Sequence, residues 1–551
     1  MYKGEVCIMG QLLTRADLMR RLVVPKAEPA ISDKRLQDHA DRFLQPSIQT
    51  VGLRLAEQST KLVVKGLFEE DVGNMREMSS ESVPPRFRGK TGEVLELYND
   101  PSPGQHTILI GLGKREKFDE EGARNFGALA VRSAENAKFD VVTIDLPSGS
   151  GVTLKEPALV EAITLGAMLS SYRYDQRLGV SEEDRPVAVK ELYLLVEEDN
   201  EVNRFQLKKA LTLAGCQNTA RYLSDMSPDE LNPATYPLLL ELFAHRFGLQ
   251  FLRLMPEELV AMGLEGIANV GRASPNPGSL ILLGQMDSET DPLHVMVGKG
   301  ITFDSSGMSV KSAEGMFDMH MDMEGSAAVV NAIRAILQLG WQSNILALAC
   351  IAENRISENA YLLNSAIQIG RRRVLIKNTD AEGRLVLGDG LALGAHLRPD
   401  NMVTIATLTG AAIIALSKGM GAAAFTADDR LKANLVQAAQ ATGERVHFFD
   451  TFMDPAILEA IKGGDLADLA NISNLGKEAG HITAARFLRE LAFYVGDDGK
   501  EVHVPFAHVD MAPMMDGSGA LKKDPRFRGD GFALGYGANL LARFYRDLKT
   551  K

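Results

Sequence analysis

The sequence has few cysteines, no long apolar run and no excess of basic residues. Its three cysteines, Cys7, Cys216 and Cys350, are scattered without metal-ligand spacing, so we expect a reducing compartment and no disulfide framework. No run of about 18 or more apolar residues occurs, so no membrane-spanning helix is expected. The 60 basic residues are outnumbered by 72 acidic ones, and the net charge of −12 argues against non-specific nucleic-acid binding.

What remains is the composition of a globular protein. Hydrophobic residues make up 45% and charged residues 24% of the chain, both ordinary values. A length of 551 residues is enough for two or more domains, and we find neither an internal repeat nor a low-complexity tract.

Strand-like runs alternate with helical stretches along most of the chain, as in Thr107–Ile110 and Val141–Ile144. The pattern predicts an α/β fold with two domains, a smaller N-terminal one and a larger C-terminal one with a mostly parallel central sheet flanked by helices. The predicted segments are an extension over residues 1–45, an N-terminal domain over 46–202, a connecting helix over 203–224 and a catalytic domain over 225–548.

The octapeptide Asn378–Leu385 carries the strongest chemical signal. It places the carboxylates of Asp380 and Glu382 one residue apart, with the guanidinium of Arg384 two residues further on. A short apolar strand at 374–376 precedes it and a helical pattern over 384–397 follows it. The carboxylates are therefore predicted at the C-terminal end of a strand, where open α/β sheets place their sites. The alternative is a capped helix start with exposed acids.

A second cluster lies upstream and contains Lys299, Asp304, Lys311 and Asp322. Residues 294–297 predict a strand that glycines on both sides of Lys299 interrupt and that resumes before Asp304, and these glycines suggest close backbone approach. A helix predicted over 326–339 follows Asp322. Taken alone, Lys299 is also compatible with a solvated or paired lysine.

Together the two clusters supply four carboxylates, two lysines and an arginine. Such a set can hold two divalent cations and leave positive charge free to polarise a substrate, which points to a two-metal hydrolase. A lysine buried beside two divalent ions can lose its proton and become a nitrogen ligand.

The same residues resemble the leucyl aminopeptidases, a cytosolic two-metal family that is usually hexameric. The resemblance covers roughly residues 45–548 and rests on the full octapeptide, on 297–305, on 406–411, on 479–485 and on 508–510. It implies that five residues are metal ligands, namely Lys299, Asp304, Asp322, Asp380 and Glu382.

The resemblance also implies roles around these ligands. Asp304 and Glu382 would bridge the two ions, Mn²⁺ or Zn²⁺. Lys311 would steady the tetrahedral gem-diolate, and Arg384 would hold a bicarbonate that acts as general base. Asn378, Thr407 and Leu408 would contact the substrate. This substrate would be a peptide with a free N-terminus whose first residue is leucine or another apolar residue.

The chain also departs from the family pattern close to these residues. Ser306 and Glu324 stand where the family usually has glycine, Arg486 replaces a small residue, and the loop at 363–365 is rewritten. Glu324 could compete for metal, bind a third cation or point to solvent. Together with the long N-terminal extension, these changes resemble the insect sperm leucyl aminopeptidases, several of which have damaged sites and structural roles.

The sequence therefore predicts an active aminopeptidase, with a catalytically weak structural paralogue as the alternative. A metal-linked binding protein that retains peptide or DNA affinity is a third hypothesis, and the acidic charge balance argues against its DNA version.

The N-terminal segment bears on localisation. Residues 1–25 combine Arg15, Arg20 and Arg21 with apolar residues such as Leu18 and Leu22. The pattern is compatible with a mitochondrial transit peptide or with an amphipathic segment that packs on the fold. We expect a cytoplasmic homohexamer, with mitochondrial import as the alternative.

Overall fold

The computed structural model describes most of the chain, as residues 12–44, 52–56, 61–78, 83–97, 106–148, 151–174, 180–181, 185–340, 344–476, 478–527, 529 and 531–548. The chain forms two compact units. One contains residues 1–44, 219–519 and 533–551, and the other contains 45–218 and 520–532. We call them the catalytic unit and the N-terminal unit. Among the described residues, no helix combines the length and apolar character that crossing a membrane requires.

The N-terminal segment packs on the catalytic unit. Its helices are α1 (Arg15–Arg21) and α2 (Lys34–Leu44). Thr14 caps α1 and forms a reciprocal capping box with Asp17. Leu18 and Leu22 are buried in the main core of the unit. These contacts support the packing alternative for residues 12–24, and residues 1–11 of the candidate transit segment lie outside the described residues.

The N-terminal unit is an α/β domain built on a six-stranded sheet with the order β1-β6-β5-β2-β4-β3. All neighbours in this sheet pair in parallel except β3 and β4. Its strands are β1 (Gly52–Ala56), β2 (Leu62–Phe68), β3 (Val94–Leu97), β4 (His106–Gly113), β5 (Val141–Asp145) and β6 (Glu191–Leu195). Its helices are α3 (Val72–Met78), α4 (Glu120–Asn136) and α5 (Glu156–Ser171), and α6 (Glu201–Asp225) carries the chain into the catalytic unit.

The catalytic unit contains an eight-stranded central sheet with the order β15-β14-β19-β13-β9-β10-β8-β7. The strands are β7 (Gln250–Leu254), β8 (Ser279–Gln285), β9 (Leu293–Asp304), β10 (Asn344–Asn354), β13 (Asn401–Ala406), β14 (Ala422–Thr426), β15 (Val446–Phe448) and β19 (Phe506–Asp510). The four central strands β10, β9, β13 and β19 are mutually parallel, so their carboxyl ends share one edge of the sheet.

Two small sheets accompany it. One pairs β11 (Ala366–Ile369), β12 (Arg372–Leu375) and β16 (Leu469–Ala470), and the other pairs β17 (Phe493–Val495) with β18 (Glu501–His503). The helices of the unit are α7 (Tyr236–Phe247), α8 (Pro256–Ala261), α9 (Gly266–Gly271), α10 (Ala313–Met316), α11 (Glu324–Gln338), α12 (Gly383–His396), α13 (Gly410–Leu416), α14 (Asp429–Thr442), α15 (Pro455–Ala460), α16 (Gly480–Arg489) and α17 (Ala538–Asp547).

The structure corrects two local predictions. The strand that was expected to break around Lys299 is continuous, because β9 runs from Leu293 to Asp304. Its glycines mark close packing, since a Cβ on Gly298 would lie 2.4 Å from the Gly325 carbonyl oxygen. The strand before the octapeptide, β12, belongs to the three-stranded sheet and not to the central one.

Candidate metal centre

One strand and two turns bring the five predicted residues together at the carboxyl edge of the central sheet. Lys299 and Asp304 lie on β9, and Asp322 lies just before α11. Asp380 and Glu382 lie between β12 and α12, which places them against the same edge although β12 belongs to another sheet. The confirmed strand–turn–helix arrangement of the octapeptide therefore delivers its carboxylates to the upstream cluster.

Lys299 is buried among carboxylates. Its Nζ lies 2.8 Å from Asp322 Oδ1 and 2.9 Å from Glu382 Oε1, and only 2% of the residue is exposed. Burial opposes the charged form, but the neighbouring carboxylates outweigh it and hold the pKa of Lys299 above its usual value. Lys299 is therefore a paired, buried cation, and the solvated alternative is wrong.

Lys311 joins the other half of the cluster. Its Nζ forms ion pairs with Asp304 and Asp380 and donates to Ser306 Oγ at 2.7 Å. Burial again opposes the charged form, and the surrounding carboxylates raise the pKa of Lys311 above its usual value. Two ammonium groups thus face four carboxylates, which leaves an excess of negative charge at this edge of the sheet.

This arrangement fits divalent cations. Carboxylate oxygens of Asp304, Asp380 and Glu382 lie within 4.8 Å of one another. Glu382 Oε2 is buried and has no hydrogen-bond partner among the described residues, which is costly for an anionic oxygen unless a cation meets it. Burial, followed by repulsion from Asp304, raises the pKa of the Glu382 carboxyl. Glu382 makes no capping hydrogen bond to α12, so the structure does not favour a simple capped helix start.

Arg384 is buried at the start of α12, and its environment suits an anion. Burial lowers the pKa of its guanidinium to about 10. Its Nε has no hydrogen-bond partner within the described part of the chain, and its Cζ lies 6.0 Å from the centre of the Phe487 ring. A small oxyanion such as bicarbonate would satisfy that donor.

The three residues predicted to contact substrate have structural contacts of their own. Thr407 donates its hydroxyl to Asp322 Oδ1 at 2.8 Å, and its carbonyl oxygen lies 3.1 Å from Lys299 Nζ. The Asn378 side chain accepts the Asp380 amide at 2.8 Å. The Leu408 amide donates to an Asp510 carboxylate oxygen at 3.1 Å.

Sequence reasoning missed two residues whose hydrogen bonds support the site, Asn354 and Tyr361. Asn354, at the end of β10, donates to Asp304 Oδ1 at 2.8 Å and to the Thr379 carbonyl at 3.0 Å. The hydroxyl of buried Tyr361 donates to the same carbonyl at 2.8 Å. The rule that sites collect at the carboxyl ends of parallel strands could have identified Asn354, whereas nothing in the local sequence marks Tyr361.

The departures from the family pattern have different surroundings. Glu324 is only 1% exposed, so the expectation that it could point to solvent is wrong. Both of its carboxylate oxygens lack hydrogen-bond partners in the described structure. Burial, together with Asp225 and Asp516, raises the pKa of Glu324 well above its usual value, which favours a neutral carboxylic acid. Arg486 pairs at 2.8 Å with Glu490, the residue that follows the C-terminal end of α16.

Comparison with known proteins agrees with this geometry. The profile of the "Cytosol aminopeptidase family, catalytic domain" matches residues 218–541, and the profile of that family's N-terminal domain matches residues 78–177. A "Probable cytosol aminopeptidase" from Roseiflexus castenholzii is 34% identical over 496 residues, which cover 89% of this chain and 96% of the relative. Another, from Aquifex aeolicus, is 33% identical over 76% of this chain and 82% of the relative.

Solved structures show the same architecture. The bottromycin maturation enzyme BotP in complex with Mn superposes with a TM-score of 0.72 at 27% identity and covers 88% of this chain and 99% of its own. A tomato leucine aminopeptidase mutant gives a TM-score of 0.74 at 23% identity, over 96% of this chain and 98% of its own. This similarity supports the fold. The chain belongs to the cytosol aminopeptidase family, the metal-dependent leucyl aminopeptidases that its octapeptide resembles.

Proposed function

We propose that this protein removes the N-terminal residue, leucine or another apolar residue, from peptides. Two divalent cations would be held by Lys299, Asp304, Asp322, Asp380 and Glu382. The observation that carries the proposal is the convergence of three carboxylates within 4.8 Å beside two lysines, at the carboxyl edge of the sheet.

The five candidate ligands would hold the cations that activate the water and the substrate. Bound divalent cations would lower the pKa of a water molecule and polarise the scissile carbonyl. Mn²⁺ or Zn²⁺ suits this oxygen-rich set with one nitrogen donor, and a structural relative is described in complex with Mn. Lys299 would have to give up its proton to act as a ligand, because its ammonium now pairs with Asp322 and Glu382.

Lys311 and Arg384 would act around the reacting group. The Lys311 ammonium would stabilise negative charge that develops on the substrate oxygen. Arg384 would bind a bicarbonate, whose chemistry is that of a general base. The buried, partnerless Nε of Arg384 supports an anion at this position.

The substrate would lie against Asn378, Thr407 and Leu408. Because Thr407 contacts Asp322 directly, a substrate on this residue would lie next to the cation cluster. A free α-amino group near that excess of negative charge is favoured over a blocked one. We propose a cytoplasmic location, and packing of residues 12–24 on the catalytic unit supports retention of this segment over its removal by mitochondrial processing.

A catalytically weak structural paralogue is the second candidate. The buried, unpartnered carboxyl of Glu324, two residues from Asp322, favours it, because a carboxyl group there changes the electrostatics of a proposed ligand. The complete set of five candidate ligands favours the active enzyme.

The test is hydrolysis of leucine p-nitroanilide by purified protein loaded with Mn²⁺ or Zn²⁺. We expect turnover that a chelator abolishes and that restored metal recovers. Lys311→Ala should lower kcat by about 100- to 1000-fold, since it removes charge stabilisation at the developing oxyanion. Glu382→Gln should lower both metal content and turnover.

A matched control is N-acetyl-leucine p-nitroanilide, which should be a poor substrate because its α-amino group is blocked. Wild-type turnover no higher than that of the two variants would reject the enzyme and favour the structural paralogue.

A further inference from the structure

Ser306 has an unusual backbone conformation beside the proposed metal centre. Its φ is +70°, in the left-handed region that glycine adopts readily and that other residues adopt at a cost. Its neighbours impose this conformation. The Ser306 amide donates to Asp304 Oδ1 at 2.8 Å, and its carbonyl accepts the Thr379 hydroxyl at 2.6 Å. The turn is therefore fixed on one side by a candidate ligand and on the other by the octapeptide.

The side chain uses this conformation to reach the cluster. Ser306 Oγ accepts the Lys311 ammonium at 2.7 Å and donates to Asp380 Oδ1. A glycine here could adopt the same backbone but could make neither contact. The backbone cost is thus coupled to two hydrogen bonds with charged groups, which are stronger than neutral ones.

Asp380 needs such support more than its neighbours do. Its side chain is 43% exposed, whereas those of Asp304 and Glu382 are 3% and 2% exposed. The side-chain partners that the structure gives Asp380 within its described part are Lys311 and Ser306. Lys311 is a long, flexible side chain, so the hydroxyl on the fixed turn is the rigid support.

We propose that Ser306 is a positioning residue that orients Asp380 and Lys311 for cation binding and for the reaction. The inference rests on the proposed function in taking Asp380 as a metal ligand. Hydrogen-bond partners that orient a metal-binding carboxylate typically contribute about 10- to 100-fold to metal affinity.

The test is calorimetric titration of metal-stripped protein with Mn²⁺, comparing wild type with Ser306→Gly and Ser306→Ala. Both variants lose the hydroxyl, but only alanine keeps the cost of the left-handed backbone. We expect one of the two Mn²⁺ dissociation constants to rise about tenfold in both variants, with the other unchanged. Without metal, Ser306→Gly should melt at a higher temperature than Ser306→Ala.

Ser305→Ala is the matched control. Ser305 also has a buried hydroxyl, but that hydroxyl donates to the Asn354 carbonyl at 2.8 Å. Its Mn²⁺ binding should equal that of wild type. The inference fails if Ser306→Gly binds Mn²⁺ like wild type, if only Ser306→Ala is weakened, or if Ser305→Ala loses as much affinity.

The two proposals can fail separately. Wild-type protein that binds Mn²⁺ without turnover would reject the proposed activity, and the Ser306 variants would still decide the positioning role by affinity. If the wild type turns over, the variants should lower kcat more than they raise KM, because Lys311 would act on the transition state. Wild-type protein that binds no Mn²⁺ would overturn both proposals.

Discussion

At the scale of single residues, His508 shows how burial selects one protonation state. It is fully buried on β19, its Nδ1 lies 2.8 Å from Thr404 Oγ1, and burial lowers its pKa to about 3. In the unfolded chain His508 binds a proton as the pH falls through about 6.5, whereas in the folded chain it does so only near pH 3. The stability that His508 contributes is therefore fully present above pH 6.5 and is lost as the pH falls towards 3.

We expect His508→Asn to reduce this acid sensitivity. Each pH unit below 6.5 lowers the free energy of unfolding of the wild type by about 1.4 kcal/mol through His508. Between pH 6.5 and 5, this free energy should therefore fall by about 2 kcal/mol more in the wild type than in His508→Asn. Thermal melts of metal-stripped protein at several pH values measure it. His447→Asn, at an exposed histidine, controls for the loss of an imidazole. Parallel curves for wild type and His508→Asn would contradict the prediction.

Sequence patterns identified the charged residues of the site but not the environment of every residue. Lys299, Asp304, Asp322, Asp380 and Glu382 do converge, because they lie on β9 or in the turns before α11 and α12, elements that the sequence pattern predicts. The left-handed backbone of Ser306 depends on Thr379, more than 70 residues away in the chain, so no local pattern contains it. The burial of Glu324 likewise depends on distant residues that pack around it.

At the scale of elements, one polar side chain of α1 adds several contacts to those of its capping box and its buried leucines. The Arg15 guanidinium donates to four backbone carbonyls, those of Glu289, Asp291, Leu397 and Arg398, at 2.8–2.9 Å. Val23 then forms an antiparallel bridge with Phe251 on β7, the last strand of the central sheet. The segment thus protects an otherwise open sheet edge.

We expect Arg15→Ala to loosen this segment. Loss of hydrogen bonds from a charged donor costs about 2 kcal/mol, which corresponds to about 30-fold faster local opening. Hydrogen exchange of peptides that cover residues 12–24 measures the change. Arg20→Ala is the matched control on the same helix, because among the described residues Arg20 pairs with Asp17 alone and its side chain is 73% exposed. Equal exchange in both variants would reject the role of Arg15.

The sequence predicts individual helices and strands better than it predicts which strands pair with each other. The hydrophobic pattern placed α11 and α12 well, since a helix buries a face that its own sequence specifies. It did not assign β12 to its sheet, because that depends on Val374 pairing with Leu469, nearly 100 residues later. The pattern also predicted a break in β9 at its glycines. The strand is continuous there, since the backbone hydrogen bonds that pair it with β10 need no side chain.

At the scale of the whole molecule, we propose assembly into a homohexamer, as the resemblance implies. Phe317 and Ile414 are 81% and 88% exposed, the highest values for large apolar residues in the described chain, and association would give such surface a place to be buried. Six copies of a 59.9 kDa chain give about 360 kDa. Light scattering coupled to size exclusion measures this mass, and a single species near 60 kDa would reject the hexamer.

The α/β class and the mostly parallel central sheet were predictable and are confirmed, because alternating strands and helices leave few other architectures. The course of the chain was less predictable. Residues 520–532 return to the N-terminal unit and residues 12–44 to the catalytic unit, and both depend on contacts across hundreds of residues.

The anchoring of Arg15 also has a consequence for protein synthesis. Its acceptor on Arg398 lies 383 positions later in the chain. At about 5–20 residues per second, the ribosome needs roughly 20–80 s to make the intervening chain. For that interval the nascent N-terminus lacks its final binding site, so α1 can complete its attachment only in the later part of translation.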